Sequence, residues 1–332
     1  MRLAYAEWSR LFARRFTRFM IVLALLILAA VAAGVALNSH RHNAAELAYA
    51  HQQADQMRVA TARFKDECEQ AKKNGTSDTN KFPPDCGEIT VNVRDEDFMR
   101  HEFDFRAESP VLVKVFGGIL ALFGFAVGAS FVGAEWTSGG MMNLLLWRPR
   151  RLPVLLTKLG SLLAGVAVVA LALAGAFLGM LYAVAQLRGT VGHITSGSMT
   201  SLALDGARGL AVGLGAAAIG FAIASLGRHT AVALGVGIGW VLIAEAGLRI
   251  VLSVARVSRV ERYFLSTYVT AWLNKEVRIE DFTPCEHPLP TGGSCQPAVW
   301  KITMAQSAVV AGVILAVLLA AMLWSVRRRD VT

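Results

Sequence analysis

The stretch FMIVLALLILAAVAAGVAL, residues Phe19–Leu37, decides the class of fold. It contains no charged residue, and its length is close to the roughly 20 apolar residues that a helix needs to cross the hydrocarbon core of a bilayer. A basic segment precedes it, as in a secretion signal, but the apolar core is longer than the about 7–15 residues typical of such signals. We therefore expect a retained transmembrane span.

Five further apolar runs follow in a chain of 332 residues that is 55% hydrophobic and has a mean hydropathy of +0.48. Lipid offers no hydrogen-bond partners to an open backbone, so helices are the expected spanning structure. The sequence predicts an all-α polytopic membrane protein with six transmembrane helices. The other five predicted spans are Pro110–Gly133, Gly160–Leu187, Leu202–Leu226, Ala231–Val254 and Met304–Val326.

Basic residues near the span ends predict the orientation, because Lys and Arg accumulate on the cytoplasmic side. We expect a bacterial-type plasma membrane with both termini cytoplasmic, which puts these bases inside: Arg2, Arg10, Arg14, Arg15, Arg18, Arg148, Arg150, Arg151, Lys158, Arg228 and Arg327–Arg329. The net charge of +9 then reflects topology and attraction to membrane lipids. Nucleic-acid binding is not expected, because the sequence shows no soluble basic face with aromatic readers.

The predicted order of segments follows from these spans. It is 1–18 interfacial helix, 19–37 span, 38–109 extracytoplasmic domain, 110–133 span, 134–159 cytoplasmic loop, 160–187 span, 188–201 outer loop, 202–226 span, 227–230 inner turn, 231–254 span, 255–303 extracytoplasmic loop, 304–326 span and 327–332 cytoplasmic tail.

The first 18 residues are expected to form a helix lying in the headgroup plane. Apolar and basic side chains separate onto two helical faces, Trp8, Leu11, Phe12, Phe16 and Phe19 against Arg10, Arg14 and Arg18. The alternative is a frayed basic terminus that only fixes topology.

Both long outer segments contain predicted structure. In 38–109, His42–Lys73 lacks Gly and Pro and predicts a helix, and the alternation in Glu88–Val93 predicts a short strand. In 255–303, apolar residues among charged neighbours predict a surface helix, namely Val260, Phe264, Val269, Ala271 and Trp272.

All four cysteines, Cys68, Cys86, Cys285 and Cys295, lie in these outer segments. An even number in an oxidising compartment predicts two disulfides, for which three pairings exist. The local pairing Cys68–Cys86 and Cys285–Cys295 is preferred because it closes the shorter loops; free thiols are the alternative. The segment 38–109 is thus expected to be a small disulfide-clasped domain.

Five charged residues lie inside the predicted spans, where charges are costly: Lys114, Asp205, Arg208, Glu245 and Arg249. The fourth and fifth spans are antiparallel neighbours, so we expect Arg208 to face Glu245 and Asp205 to face Arg249. The cluster is interpreted either as part of a substrate pathway or as a structural ion network.

Four spans carry glycines four residues apart: Gly124 and Gly128, Gly175 and Gly179, Gly209 and Gly213, and Gly235 and Gly239. Such spacing lets helix backbones approach closely. We expect packing inside the bundle rather than a subunit interface.

The loop between the second and third spans has an unusual pattern. Glu135 leaves one apolar run, Gly139–Gly140 breaks the helix, and Leu144–Arg151 leads into the next run as a short amphipathic segment on the inner face. No GxxxxGK[ST], HExxH or GxSxG motif occurs in the chain, so no catalytic residue is predicted and we do not expect an enzyme.

This loop resembles that of the type-two ATP-binding-cassette (ABC) exporter permeases. The matching residues are Glu135, Gly140–Met141, Leu144–Leu145, Pro149–Arg150–Arg151 and Lys158. Six spans and an amphipathic helix before the first also match the family. Met141 stands where the family usually has Thr, and the first outer segment is larger than in compact drug exporters.

The resemblance implies a permease subunit that pairs with a second copy or paralogue and with two separate ATPase subunits. ATP and magnesium would bind those ATPases, with no cofactor in this chain, and the expected cargo is an amphipathic, drug-like, lipid or peptide molecule moved outward. The implied coupling residues are Glu135, Gly140, Asn143, Leu144, Leu145, Pro149, Arg150 and Arg151.

Within the coupling loop, Glu135 is expected either to cap the segment or to pair with a base. Arg150 and Arg151 either anchor the segment or only set the orientation of the chain in the membrane. A different class of function is also open, a non-transporting membrane sensor or assembly protein whose outer domain binds a ligand or partner.

Overall fold

A computed structural model describes residues 2–75, 81–83, 85–90, 92–141, 151–255, 257, 259–281 and 297–328. Six helices in this part of the chain are long and apolar enough to cross a membrane, which confirms the six predicted spans. They are Arg15–Asn38, Phe105–Thr137, Leu152–Arg188, Ser196–Gly227, Thr230–Val254 and Met304–Arg328.

The helices are labelled in chain order, and each span corresponds to one or two of them. They are α1 (Arg2–Ala13), α2 (Arg15–Asn38), α3 (Ala44–Lys73), α4 (Phe105–Thr137), α5 (Arg151–Arg188), α6 (Ser196–Gly227), α7 (Thr230–Gly239), α8 (Leu248–Val254), α9 (Leu265–Asn274) and α10 (Met304–Arg328).

The N-terminal helix is shorter than predicted, because α1 ends at Ala13 and α2 begins at Arg15. The side chain of Leu11 is buried against α5, where a Cβ atom added at Gly165 would lie 2.3 Å from Leu11 Cδ2. This contact packs α1 on α5.

Helices α4 and α6 pack backbone to backbone. A Cβ atom added at Gly128 would lie 2.1 Å from the Ala217 carbonyl oxygen, and one at Gly124 would lie 2.3 Å from the Gly213 carbonyl oxygen. These contacts confirm the expected packing of two glycine pairs. Gly235 and Gly239 in α7 have open space instead, as do Gly175 and Gly179 in α5.

The fifth span is not a continuous α-helix. Trp240–Gly247 forms a π-helix between α7 and α8. In the most apolar window of this span, only 6% of the residues are buried within the chain. The corresponding share is 11% in the sixth span and 50% in the fourth. The fifth and sixth spans therefore contribute little to the packed interior.

Residues 31–107 and 180–193 form a compact unit of their own. Its main element, α3, starts at a capping box in which Asn43 and Glu46 exchange hydrogen bonds, and this confirms the helix predicted there. Cys68 and Cys86 are joined by a disulfide, as predicted. The strand predicted at Glu88–Val93 is wrong, because the described residues there form only a 3₁₀ turn ending at Glu88 and irregular backbone.

The other unit comprises residues 1–30, 108–179 and 194–332. Its surface helix α9 begins at Leu265, so Val260 and Phe264 precede it. An antiparallel hairpin of the strands Glu276–Asp281 and Ala298–Thr303 follows α9. The hairpin was missed by the sequence analysis. The unit of residues 31–107 and 180–193 also contains a two-residue parallel strand pair, Phe103–Asp104 with Gly189–Thr190. Because of the hairpin and this pair, the fold is mostly and not entirely α-helical, which corrects the predicted all-α class.

Candidate functional site: a buried charge network

A buried lysine joins α1, α4 and α5. The Lys158 Nζ atom lies 2.6 Å from Glu7 Oε2 and 2.6 Å from Glu135 Oε2. The Lys158 side chain is 1% exposed, that of Glu7 is fully buried, and that of Glu135 is 12% exposed. One cation thus bridges two carboxylates that are more than one hundred residues apart in sequence.

Arg14 is a second cation of the network. Its Nη2 atom donates to Glu135 Oε1 at 2.7 Å, and its Nη1 atom donates to the Ser130 carbonyl oxygen at 3.0 Å. Burial lowers the pKa of the Arg14 guanidinium, and the carboxylates of Glu135 and Glu7 oppose that shift. At the edge of the network, the more exposed Arg10 lies 3.4 Å from Glu7 Oε1.

An aromatic ring supports both cations. The Arg14 guanidinium carbon lies 5.0 Å from the Phe131 ring centroid, and Lys158 Nζ lies 5.6 Å from it. Cations over a ring face are stabilised by its quadrupole, more strongly where water is excluded. Phe131 is one helical turn before Glu135 in α4, so a single helix face supplies the ring and the carboxylate.

The network defines the ends of the segment interpreted as a coupling loop. Glu135 lies near the end of α4 and Lys158 in the second turn of α5, so the loop's flanks and α1 are held together by charge-assisted hydrogen bonds. Of the two roles expected for Glu135, the structure shows pairing with a base. The four side chains thus tie α1, α4 and α5 to one another.

The remaining predicted coupling residues are only partly described. Gly140 follows a turn in which Gly139 has a φ of 73°, a left-handed conformation that glycine adopts without strain. Arg151 is the first residue of α5. Asn143, Leu144, Leu145, Pro149 and Arg150 lie outside the described residues, as do Cys285 and Cys295.

The predicted pairing of charges between the fourth and fifth spans is wrong. Arg208 pairs with Asp205 one turn earlier in α6, and Arg249 Nη2 lies 3.9 Å from Glu245 Oε2 within its own span. Short i,i+3 and i,i+4 separations satisfy each charge locally, so no contact across the helices is needed. Lys114 is half-buried in α4 and has no ion-pair partner among the described residues.

Glu245 instead fastens the surface helix α9. Its two carboxylate oxygens accept from the Ser266 backbone N–H at 3.1 Å and from Ser266 Oγ at 2.6 Å. Arg249 donates to the same hydroxyl oxygen at 3.1 Å, and its guanidinium lies 4.6 Å from the Phe264 ring centroid. Since α9 has no side-chain cap of its own, Glu245 satisfies one of its free N–H groups.

Two important residues were missed as site residues by the sequence analysis. They are Glu7 and Ser266. A signal existed for Glu7: it shares a helical face with the apolar Leu11, and an acid on an apolar face needs a buried cation. No comparable signal marks Ser266, because its partner is distant in sequence.

Among the described residues, no group of three His, Cys, Asp or Glu side chains is arranged to hold a metal ion. His40 contacts Glu46 and His42 contacts Glu102. Comparisons of the chain with protein-family models, curated proteins and solved structures found no match.

Proposed function

We propose that this chain is the membrane permease subunit of an ABC transporter, exporting an amphipathic, drug-like, lipid or peptide substrate. Two separate ATPase subunits would drive it, and a second copy or paralogue would complete the pathway. Both termini would lie in the cytoplasm of a bacterial-type plasma membrane. The observation that carries the proposal is the buried network of Glu7, Arg14, Glu135 and Lys158.

Force transmission explains why such a network is useful. A partner that pushes on the loop between α4 and α5 moves those helices only if the loop's flanks are rigidly joined to them. Lys158 and Arg14 join α1, α4 and α5 through contacts of 2.6–2.7 Å in a site shielded from water. Breaking such a buried pair leaves an uncompensated charge, which resists separation of the three helices.

The test uses the full chain in its native membrane with a photo-crosslinking residue in the loop. Asn143→benzoylphenylalanine should crosslink to a cassette ATPase, and the ATPase should co-purify with the chain in mild detergent. His193→benzoylphenylalanine, in the predicted outer loop, is the matched control and should give no such product. Repeated recovery of the chain without any ATPase, or crosslinking from position 193 alone, would overturn the proposal.

A second function is favoured by one observation. In the unit containing α3, that helix exposes the apolar side chains of Leu47, Tyr49, Met57 and Val59 around its circumference, where they are available to a partner or ligand. A non-transporting sensor or assembly protein would use it. Deleting residues 44–106 separates the two functions, since loss of signalling with intact nucleotide-stimulated flux supports sensing, whereas loss of flux supports a role in transport.

A further inference from the structure

Trp136 and Arg228 lie near the ends of α4 and α6, and each has an unmet polar requirement among the described residues. The Trp136 Nε1 atom, one residue before the end of α4, is buried and has no hydrogen-bond acceptor in that part of the chain. Arg228 directly follows α6, and its guanidinium carbon lies 4.9 Å from the Trp136 ring centroid. No ion pair to Arg228 occurs within the part of the chain that the structure describes.

Both groups are energetically unusual. A buried donor without an acceptor costs roughly 1–3 kcal/mol, so native proteins rarely keep one. Arg228 has a φ of 52°, a left-handed conformation that non-glycine residues seldom adopt and that is often retained for function. Glu135, which precedes Trp136 in sequence, is already paired with Arg14 and Lys158.

Close helix packing places the two groups together. A Cβ atom added at Gly133 would lie 2.5 Å from Thr230 Oγ1, so the absence of a side chain there lets the turn between α6 and α7 approach α4. The backbone approach therefore brings Arg228 close to the Trp136 ring. The arginine side chain remains flexible and can shift to admit an oxygen atom to the indole N–H.

We propose that Trp136 and Arg228 bind the headgroup phosphate of an anionic phospholipid. The phosphate supplies what both groups lack, a negative charge and several acceptor oxygens. Since α4 and α6 are both long and apolar enough to span a membrane, residues at their ends lie at headgroup level, where Trp and Arg are typical. The site does not depend on the proposed transport function.

The test measures lipid retention by the full chain. The purified protein is placed in phosphatidylcholine nanodiscs with increasing phosphatidylglycerol, and bound phosphatidylglycerol is counted by native mass spectrometry. Arg228→Gln should weaken retention about fivefold, as expected for one basic residue at an anionic surface. Trp136→Phe keeps the ring but removes the donor and should weaken it by about fivefold or more. Arg63→Gln, an exposed charge of α3 outside the six spans, is the control and should change nothing.

Two outcomes would overturn the proposal. One is phosphatidylglycerol retention equal to wild type in Trp136→Phe, which decides the question even if Arg228→Gln fails to fold. The other is loss of phosphatidylglycerol from the wild-type protein when inorganic phosphate is added at the same concentration as the lipid. That result would show that the site binds a free anion instead.

Discussion

Replacing Lys158 with methionine should strongly destabilise the protein. The change removes the cation that contacts both Glu7 and Glu135, but Glu135 retains Arg14 at 2.7 Å. Among the described residues, the ion pair left to the buried Glu7 is then the one to Arg10, at 3.4 Å with a side chain 57% exposed. Orphaning a buried charge costs about 3–5 kcal/mol, and the remaining Arg10 contact favours the lower end, about 3 kcal/mol.

The assay is denaturant unfolding of the full chain in mixed micelles, followed by tryptophan fluorescence. Lys72→Met is the matched control, because Lys72 lies in an exposed pair of 4.0 Å and should lose less than about 0.5 kcal/mol. The double variant Lys158→Met with Glu7→Gln should recover part of the loss, because no unpaired carboxylate remains. A loss below about 1 kcal/mol for Lys158→Met, or no recovery in the double variant, would refute the assignment of a tightly coupled network.

Three further predictions address other parts of the fold. Gly128→Val should prevent close packing against Ala217 and abolish monodisperse protein in size-exclusion chromatography, whereas a normal profile would contradict the backbone contact. Cys86→Ser should lower the stability of its unit by about 3 kcal/mol, given a sequence separation of 18 residues, and expose α3 to limited proteolysis; unchanged digestion would count against it. Glu245→Gln can accept through one oxygen only, so α9 amides around Ser266 should exchange hydrogen faster, and equal exchange rates would argue against the fastening role.

The spans were predictable because their physics is local. A run such as Phe19–Leu37 contains its own length and polarity signal, and the capping residues around Asn43 mark where α3 begins. The Cys68–Cys86 pairing also followed from chain separation. The caps and the disulfide join residues close in sequence, and the spans depend on the hydrocarbon that surrounds the whole apolar segment. Both signals can be read from a short stretch of sequence.

Contacts between distant residues were not predictable in the same way. The π-helix containing Glu245 and the hydrogen bonds to Ser266 depend on how α9 returns to the fifth span. The hairpin was missed although Glu276–Asp281 alternates, because its partner strand follows a segment rich in Pro and Gly that indicated a loop. The pairing of Glu7 with Lys158 required the fold of three helices, which periodicity alone does not give.

The glycine contacts between α4 and α6 limit how this protein can change shape. Because carbonyl oxygens of α6 occupy the space where α4 would carry side chains, sliding α4 by one residue would bring Phe125 to the place of Gly124, against the backbone of its neighbour. Any large rearrangement must therefore carry these two helices as one rigid body, with the motion absorbed by less buried segments such as the fifth and sixth spans.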